Sequence, residues 1–186
     1  LNGDGTNGGQ NNAFVDSSTN NCMITRNGNV TQGSFSPYGN LWSNYFNGST
    51  DYLTTNVGGI SMSGNWTIEV SFYATATSCI VYDCRPSGAN GLYPQIAIIS
   101  STQIEFYYSD TSHPITAPNG TLNQWVHVAV VKNASTVVVY INGINCYSIS
   151  DSNTWSVGAG RPSFGANGGF FAAAPAYFTG YISNFR

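Results

Sequence analysis

The stretch of sequence that decides the fold reads WTIEVSF and occupies residues 66–72. Its even-numbered residues are large and apolar, whereas Thr67, Glu69 and Ser71 between them are polar. Because successive side chains of a β-strand point to opposite faces of a sheet, this alternation predicts a strand with one face in a core. Residues 125–131, WVHVAVV, are apolar almost throughout and predict a central strand covered on both faces.

Short runs of β-branched and aromatic residues recur along the rest of the chain, and no long segment has helical periodicity. Asn-Gly dipeptides between the runs tolerate positive φ and close tight turns. This pattern predicts an all-β, two-sheet antiparallel sandwich of the jelly-roll type. The predicted strands are Trp66–Tyr73, Cys79–Tyr82, Gln95–Ser100, Gln103–Ser109, Trp125–Lys132, Thr136–Ile141 and Gly180–Phe185, with weaker signals at Met23–Asn27, Ser43–Phe46 and Tyr52–Thr54.

The composition is poor in charge. Charged residues make up 7% of the 186 residues, and the net charge at pH 7 is −3, whereas soluble domains average about 25% charged residues. The basic residues are scattered, so we expect no nucleic-acid partner. No apolar stretch approaches the roughly 20 residues that span a bilayer, so we expect no membrane partner. A polar but nearly uncharged surface is typical of extracellular and virion proteins.

Three motifs carry a resemblance to a known family. They are WTIEVSF at 66–72, NQWVHVA at 123–129 with VYING at 139–143, and GYISNFR at 180–186. In order and spacing they are similar to the signature strands of laminin G-like and concanavalin A-like jelly-roll domains. The resemblance implies a jelly-roll fold. It also implies calcium as a possible ligand, because calcium is common in this family. We expect one domain over residues 1–186, with a leader strand and arm at 1–40 and the sandwich body at 41–186.

A narrower resemblance lies near the start of the chain. Residues 14–38 resemble the leader of laminin G-like domains in tailed-phage structural proteins. This resemblance implies a virion surface protein whose partners are copies of itself or other virion proteins. Because the chain does not begin with Met, we expect it to be a processed or excised part of a longer protein.

The carboxylates do not form a catalytic pattern. A glycoside hydrolase needs a nucleophile and an acid that flank one bond, about 5 Å apart in retaining enzymes. The chain has two glutamates, Glu69 and Glu105, and neither has a carboxylate two or four residues away. We therefore expect no enzymatic activity. Glu69 is predicted to share a sheet face with His127, as a satisfied polar pair inside the sheet.

The cysteines and the loop aspartates each have two possible roles. Cys79 and Cys84 flank a predicted turn, so they either form a local disulfide or are buried apolar thiols. Calcium is the one candidate cofactor, and Asp51, Asp110 and Asp151 are its candidate ligands because each stands in or near a turn. Aspartates in loops of this composition also form turns by bonding their own backbone.

Aromatic groups supply the candidate binding surface. Sugars stack on exposed aromatic rings, whereas protein interfaces are rich in Tyr, Phe and Trp and poor in charge. A third alternative is that most of these rings pack in the core. The candidate carbohydrate-binding or interface residues are Trp42, Tyr45, Phe164, Phe170, Phe171 and Tyr177.

These features together favour a non-catalytic structural module of the virion surface, such as a decoration, fibre or appendage protein. The alternative is an extracellular carbohydrate-binding adhesion module that holds a cell-surface glycan with or without calcium.

Overall fold

The computed structural model describes residues 14–16, 18–39, 42–57, 59–86, 91–109, 111–167 and 176–186. These residues form 16 β-strands, and among them no helical segment has the length and hydropathy needed to cross a bilayer. In chain order the strands are β1 (Ile24–Asn27), β2 (Thr31–Gly33), β3 (Ser43–Asn47), β4 (Tyr52–Thr55), β5 (Ile60–Met62), β6 (Trp66–Ala74), β7 (Cys79–Asp83), β8 (Gln95–Ser100), β9 (Gln103–Tyr108), β10 (Thr111–Thr116), β11 (Trp125–Asn133), β12 (Thr136–Ile141), β13 (Ile144–Ser150), β14 (Trp155–Val157), β15 (Ser163–Phe164) and β16 (Thr179–Ser183).

The strands form two large sheets that pack face to face. Sheet I has the strand order β1-β4-β15-β7-β8-β9-β10, and sheet II has the order β13-β12-β11-β6-β16-β3-β2. The neighbouring strands in both sheets are antiparallel, as they are in the small β5–β14 pair. The predicted two-sheet antiparallel sandwich is confirmed.

Strands β6 and β11 lie side by side in sheet II and follow the predicted alternation. Val70 and Phe72 of β6 and Val128 of β11 have no exposed surface and face sheet I. The alternate residues point away from the core. The outer face of β11 differs from the prediction, because Trp125 and His127 are half-buried rather than covered.

Trp155 joins the two sheets through the core. Its fully buried ring stacks on Phe106 of sheet I, with centroids 5.7 Å apart, and meets Trp66 of sheet II edge-on at 5.4 Å. Its indole N–H donates a 3.1 Å hydrogen bond to Asp151. A buried aromatic side chain needs such a partner for its polar atom. Burial of a large apolar side chain contributes about 1.5–3 kcal/mol.

The leader supplies an edge strand to each sheet. Strand β1 pairs with β4 at the edge of sheet I, and β2 pairs with β3 at the edge of sheet II. Beyond β2 the chain continues to Phe35, whose ring lies against sheet II. The described part of the predicted leader strand and arm is therefore bonded to both sheets.

Cys79 and Cys84 are free thiols and do not form the local disulfide. They are 2% and 0% exposed, which supports the interpretation as buried apolar side chains. Burial raises the pKa of the Cys79 thiol to about 11. This thiol therefore stays protonated at neutral pH.

Candidate functional site

A row of aromatic side chains crosses the outer face of sheet II. The register places Tyr45 of β3 opposite Tyr181 of β16, Tyr181 opposite Tyr73 of β6, and Tyr73 opposite Trp125 of β11. Their side chains point outward because the alternate residues of these strands fill the core. Four adjacent strands thus each contribute one ring at the same level. With Phe35 of the leader, these residues form the surface that we call the aromatic platform.

Phe35 lies among the rings of this row. Its centroid is 5.0 Å from that of Tyr73, 5.4 Å from that of Trp125 and 4.8 Å from that of Tyr181. Phe35 and Tyr45 are nonetheless 46% and 38% exposed. The contacts leave Phe35 and Tyr45 open to solvent, whereas Tyr73, Trp125 and Tyr181 are half-buried. A large exposed aromatic surface on a folded protein marks a candidate binding site.

Few charges lie near the platform. Tyr38 is 36% exposed, and its hydroxyl oxygen lies 3.2 Å from Ser71 Oγ, within hydrogen-bond distance. Apart from the tyrosines, the ionisable side chains that point outward from the described strands of sheet II are Glu69 and His127. Both share the outer face, as predicted, but Glu69 is half-buried and forms a 3.1 Å ion pair with Arg186. The expectation of a Glu69–His127 pair inside the sheet is therefore wrong.

The predicted aromatic residues are not together. Tyr45 belongs to the platform, whereas Trp42 is half-buried just before β3, where its carbonyl accepts a 3.0 Å hydrogen bond from Ser183 Oγ. Tyr177 is half-buried, and its ring centroid is 6.3 Å from that of Tyr52. The structure brings neither Trp42 nor Tyr177 into ring contact with the platform.

Phe164 is a correction to the predicted surface. Its ring is 2% exposed and packs between Tyr82 and Phe185, with centroid distances of 5.7 and 4.5 Å. It is a core residue because β15 lies between β4 and β7 and turns this side chain towards sheet II. Phe170 and Phe171 lie outside the described residues, so their assignment stays a prediction.

The candidate calcium ligands that the structure describes form turns. Asp51 accepts N–H bonds from Asn29 at 2.7 Å and Asn47 at 3.2 Å. Asp151 accepts bonds from Asn153 N–H at 2.7 Å and from Trp155. Within the described ranges, no three His, Cys, Asp or Glu side chains lie together as metal ligands do. These contacts are those of turn-forming aspartates, and calcium binding at Asp51 and Asp151 stays a prediction, as it does at Asp110, which lies outside the described residues.

A cavity of about 570 Å³ opens where the leader meets the last residues of the chain. Phe185, Ile24 and Phe164 contribute apolar surface to its lining. Asp16 and Asn20 from the leader contribute polar groups. The Asp16 carboxylate accepts the N–H of Cys22 at 2.8 Å, which lowers the pKa of that carboxyl. The volume is within the range of small-ligand pockets, about 300–1,000 Å³.

The outer face of sheet I carries a buried charged cluster. Asp83 accepts two side-chain hydrogen bonds from Arg85, at 3.0 and 2.9 Å, and both residues are buried. Arg161 donates a 2.9 Å bond to the buried Ser163. Burial lowers the pKa of the Arg161 guanidinium, and Asp83 opposes that shift. The cluster fixes the segments that enter and leave β7 and β15.

The fold and the exposed platform define a lectin-like jelly roll. The chain belongs to the concanavalin A-like lectin/glucanase superfamily, whose family profile matches residues 47–186. A search of curated proteins gave no match to this chain.

Solved structures with the same fold include three with different roles. Domain 4 of AbnA, a GH43 extracellular arabinanase from Geobacillus stearothermophilus in complex with arabinotriose, matches with a TM-score of 0.68 and 20% identity, over 95% of this chain and 87% of that one. Botulinum neurotoxin type C, whose cell entry depends on interaction with two ganglioside molecules, matches with a TM-score of 0.62 and 16% identity over 94% of this chain. The match spans 44% of the toxin chain. A heptameric SAP-like pentraxin from Limulus polyphemus matches with a TM-score of 0.56 and 15% identity, over 76% of this chain and 73% of that one. At these identities the matches show the fold.

Sequence reasoning missed most of the platform. Tyr73 directly follows the quoted stretch, and its odd number alone places it on the outward side. Phe35 lies outside the predicted strands and gave no such signal, and only the register between strands brings Trp125 and Tyr181 to Tyr73. A search for aromatic residues at outward positions of every predicted strand would have found Trp125 and Tyr181.

Proposed function

We propose that this chain is a non-catalytic carbohydrate-binding module and that the aromatic platform is its binding surface. The observation that carries the proposal is the row of rings from four adjacent strands, with Phe35 and Tyr45 open to solvent. The apolar faces of sugars stack on aromatic rings, and Tyr hydroxyls and the Trp N–H at the ring edges bond sugar hydroxyls. The platform supplies both the stacking surface and the hydrogen-bonding groups.

The solved structures of this fold support a carbohydrate ligand. One of them is held in complex with arabinotriose, and another enters cells through ganglioside molecules. Low identity limits that support to the kind of ligand, so the sugar itself has to be found by experiment.

The positions of the glutamates support a non-catalytic role. Glu69 points outward from sheet II, whereas Glu105 alternates with the core residues Ile104 and Phe106 and points outward from sheet I. The two carboxylates are on opposite sides of the sandwich. A glycosidase pair is separated by about 5–9.5 Å and flanks one bond, and these two glutamates do not share a site.

The proposal is tested by a glycan array followed by calorimetry with the best ligand. Phe35→Ala is expected to weaken binding at least about tenfold, equivalent to about 1.4 kcal/mol. Two controls are expected to bind as the unmodified protein does: Asn20→Ala at the cavity and Ile144→Ala, an exposed apolar residue on β13. Absence of any glycan binding at millimolar concentration would overturn the proposal. So would loss of binding in Asn20→Ala with full binding in Phe35→Ala, which would place the sugar in the cavity.

A structural role on the virion surface is the second candidate function. It is supported by the leader resemblance, the 7% charged residues and an exposed aromatic surface with few charges, which suits an interface with other virion proteins. In this case Phe35→Ala abolishes association between copies, measured by light scattering across a concentration series. This role would be excluded if the protein stayed monomeric at every concentration and were absent from purified virions.

A further inference from the structure

The platform has a length and a direction, and these constrain its ligand. Neighbouring strands are about 4.8 Å apart, so the four aligned positions from Tyr45 to Trp125 extend over roughly 14 Å, perpendicular to the strands. The ring centroids of Tyr45 and Tyr181 are 5.1 Å apart, and those of Tyr73 and Trp125 are 5.9 Å apart. The rings form a continuous track that is longer than a single sugar ring.

None of the five Lys and Arg side chains, all of which the structure describes, stands among the rings of the platform. On β6, Glu69 stands four residues before Tyr73, which places it about 13 Å along the strand. The Arg186 guanidinium is held in the ion pair with Glu69. Lys132 of β11 is buried and bonds the carbonyl of Asp151. The one basic side chain of the described residues beside the rings is the His127 imidazole, two residues along β11 from Trp125 on the same face, so a carboxylated or sulfated sugar would find no Lys or Arg there.

The remaining polar groups match neutral sugar hydroxyls. Tyr45, Tyr73 and Tyr181 each carry a hydroxyl, which both donates and accepts a hydrogen bond. Thr31 of β2 is directly opposite Tyr45 and extends this polar margin at the edge of the sheet. Neutral donors and acceptors beside apolar rings complement a sugar chain without charge.

From these three observations we propose that the ligand of the aromatic platform is a linear, uncharged oligosaccharide that lies across the strands of sheet II. This inference rests on the proposed carbohydrate-binding function and goes beyond it in ligand length, charge and direction. Each sugar unit stacks on a successive part of the track. Affinity therefore grows with chain length until the track is filled.

The experiment is calorimetry with neutral oligosaccharide series, such as cello-, xylo- and arabino-oligosaccharides of increasing length. We expect no measurable binding of the monosaccharide and an affinity that rises at least about tenfold before it saturates. Binding of the best oligosaccharide is expected to be insensitive to ionic strength, because no ion pair is involved. An affinity that is the same for one sugar unit and for several, or a requirement for a carboxylated or sulfated sugar, would overturn the inference.

Variants at the end and the centre of the track test its direction. Tyr45→Ala removes the terminal ring, so short oligosaccharides bind as before and the affinity saturates at a shorter length. Tyr181→Ala interrupts the row and lowers the affinity at every length, while Tyr181→Phe keeps the stacking surface. Ile144→Ala is the control for loss of an exposed apolar side chain. Equal effects of Tyr45→Ala and Tyr181→Ala at all lengths would contradict a ligand that lies across the strands.

The failure of this inference differs from the failure of the proposed function. If no glycan binds, or if platform variants leave binding unchanged, the function itself is wrong. If binding depends on the platform but does not increase with chain length, only the linear ligand is wrong.

Discussion

The outer faces of the two sheets differ in what they carry and in what they leave exposed. On sheet I, the outward residues Asp83, Ser163 and Gln95 stand directly opposite one another and are 0%, 0% and 3% exposed. On sheet II, the row that includes Tyr45 and Tyr181 is partly open. Sheet I hides polar groups at this level, whereas sheet II carries a partly exposed row of aromatic rings beside the buried Ser43, Ser71 and Ser183. Within the described ranges, the face of sheet II presents four rings from adjacent strands at one level.

The burial of charged side chains leaves few charges on the described surface. Six of the 11 charged residues that the structure describes are buried, and each of the six bonds a partner that fixes a turn or a loop. An isolated buried charge is costly, so such groups are retained where they have partners. The buried charged residues are Asp51, Asp83, Arg85, Lys132, Asp151 and Arg161.

The largest expected effect breaks the charged face of sheet I. Asp83→Ala leaves the buried Arg85 without its carboxylate and is expected to lower the free energy of unfolding by about 3–5 kcal/mol. Urea denaturation measures this change. The double variant Asp83→Leu with Arg85→Met removes both charges and should recover most of the loss, and the exposed Thr25→Ala is the control. A loss below about 1 kcal/mol in Asp83→Ala would show that the cluster does not hold this face together.

The next largest effect concerns Phe35→Ala, which is expected to reduce glycan binding much more than stability. Phe35 is 46% exposed, so Phe35→Ala is expected to lower the free energy of unfolding by only about 1 kcal/mol, from lost ring contacts. The same variant removes the central exposed ring of the platform and weakens glycan binding. Parallel urea denaturation and calorimetry measure the two effects. A loss of stability as large as that of Asp83→Ala would mean that Phe35 is a core residue.

A smaller effect compares two ion pairs of the same chemistry. The Arg186 side chain is 67% exposed in its pair with Glu69, whereas the Asp83–Arg85 pair is buried. Exposed pairs are screened by water and salt, so Arg186→Ala is expected to cost less than about 1 kcal/mol. Denaturation at low and high salt measures the difference. If the cost exceeded that of Asp83→Ala, burial would not be what distinguishes the two faces.

The smallest expected effect concerns calcium. Because N–H donors already bond the carboxylates of Asp51 and Asp151, a chelator is expected to leave the melting temperature unchanged. A ligand that binds only the folded state would raise that temperature. A rise on addition of millimolar calcium would contradict the turn-forming role, and loss of that rise in Asp110→Ala would locate the ion.

Ten of the 16 described strands could be predicted from the sequence, and the miss of β10 has a physical reason. Strands β8 and β12 have the predicted bounds, because their runs of β-branched residues end at turns. Strand β10 was missed because it contains Pro114, which cannot donate to a neighbouring strand. It is an edge strand of sheet I, where Pro is tolerated because one side needs no partner.

The candidate site was predicted only in part. Tyr45 was identified and is exposed, but Phe164 was assigned to an open surface and lies in the core. Both stand in runs rich in aromatic residues, so the local sequence does not separate them. The burial of each ring depends on which face its strand turns to the other sheet, and that is settled by the packing of the sheets.

The sequence by itself determined the fold class and the absence of a paired-carboxylate motif, because both depend on local features: alternation along a strand and spacing along the chain. The platform and the charged cluster were decided by the tertiary structure. Tyr45, Tyr73, Trp125 and Tyr181 are far apart in the chain and meet only through the register of four strands. Register is fixed by hydrogen bonds and core packing between distant segments, which no single stretch of sequence contains.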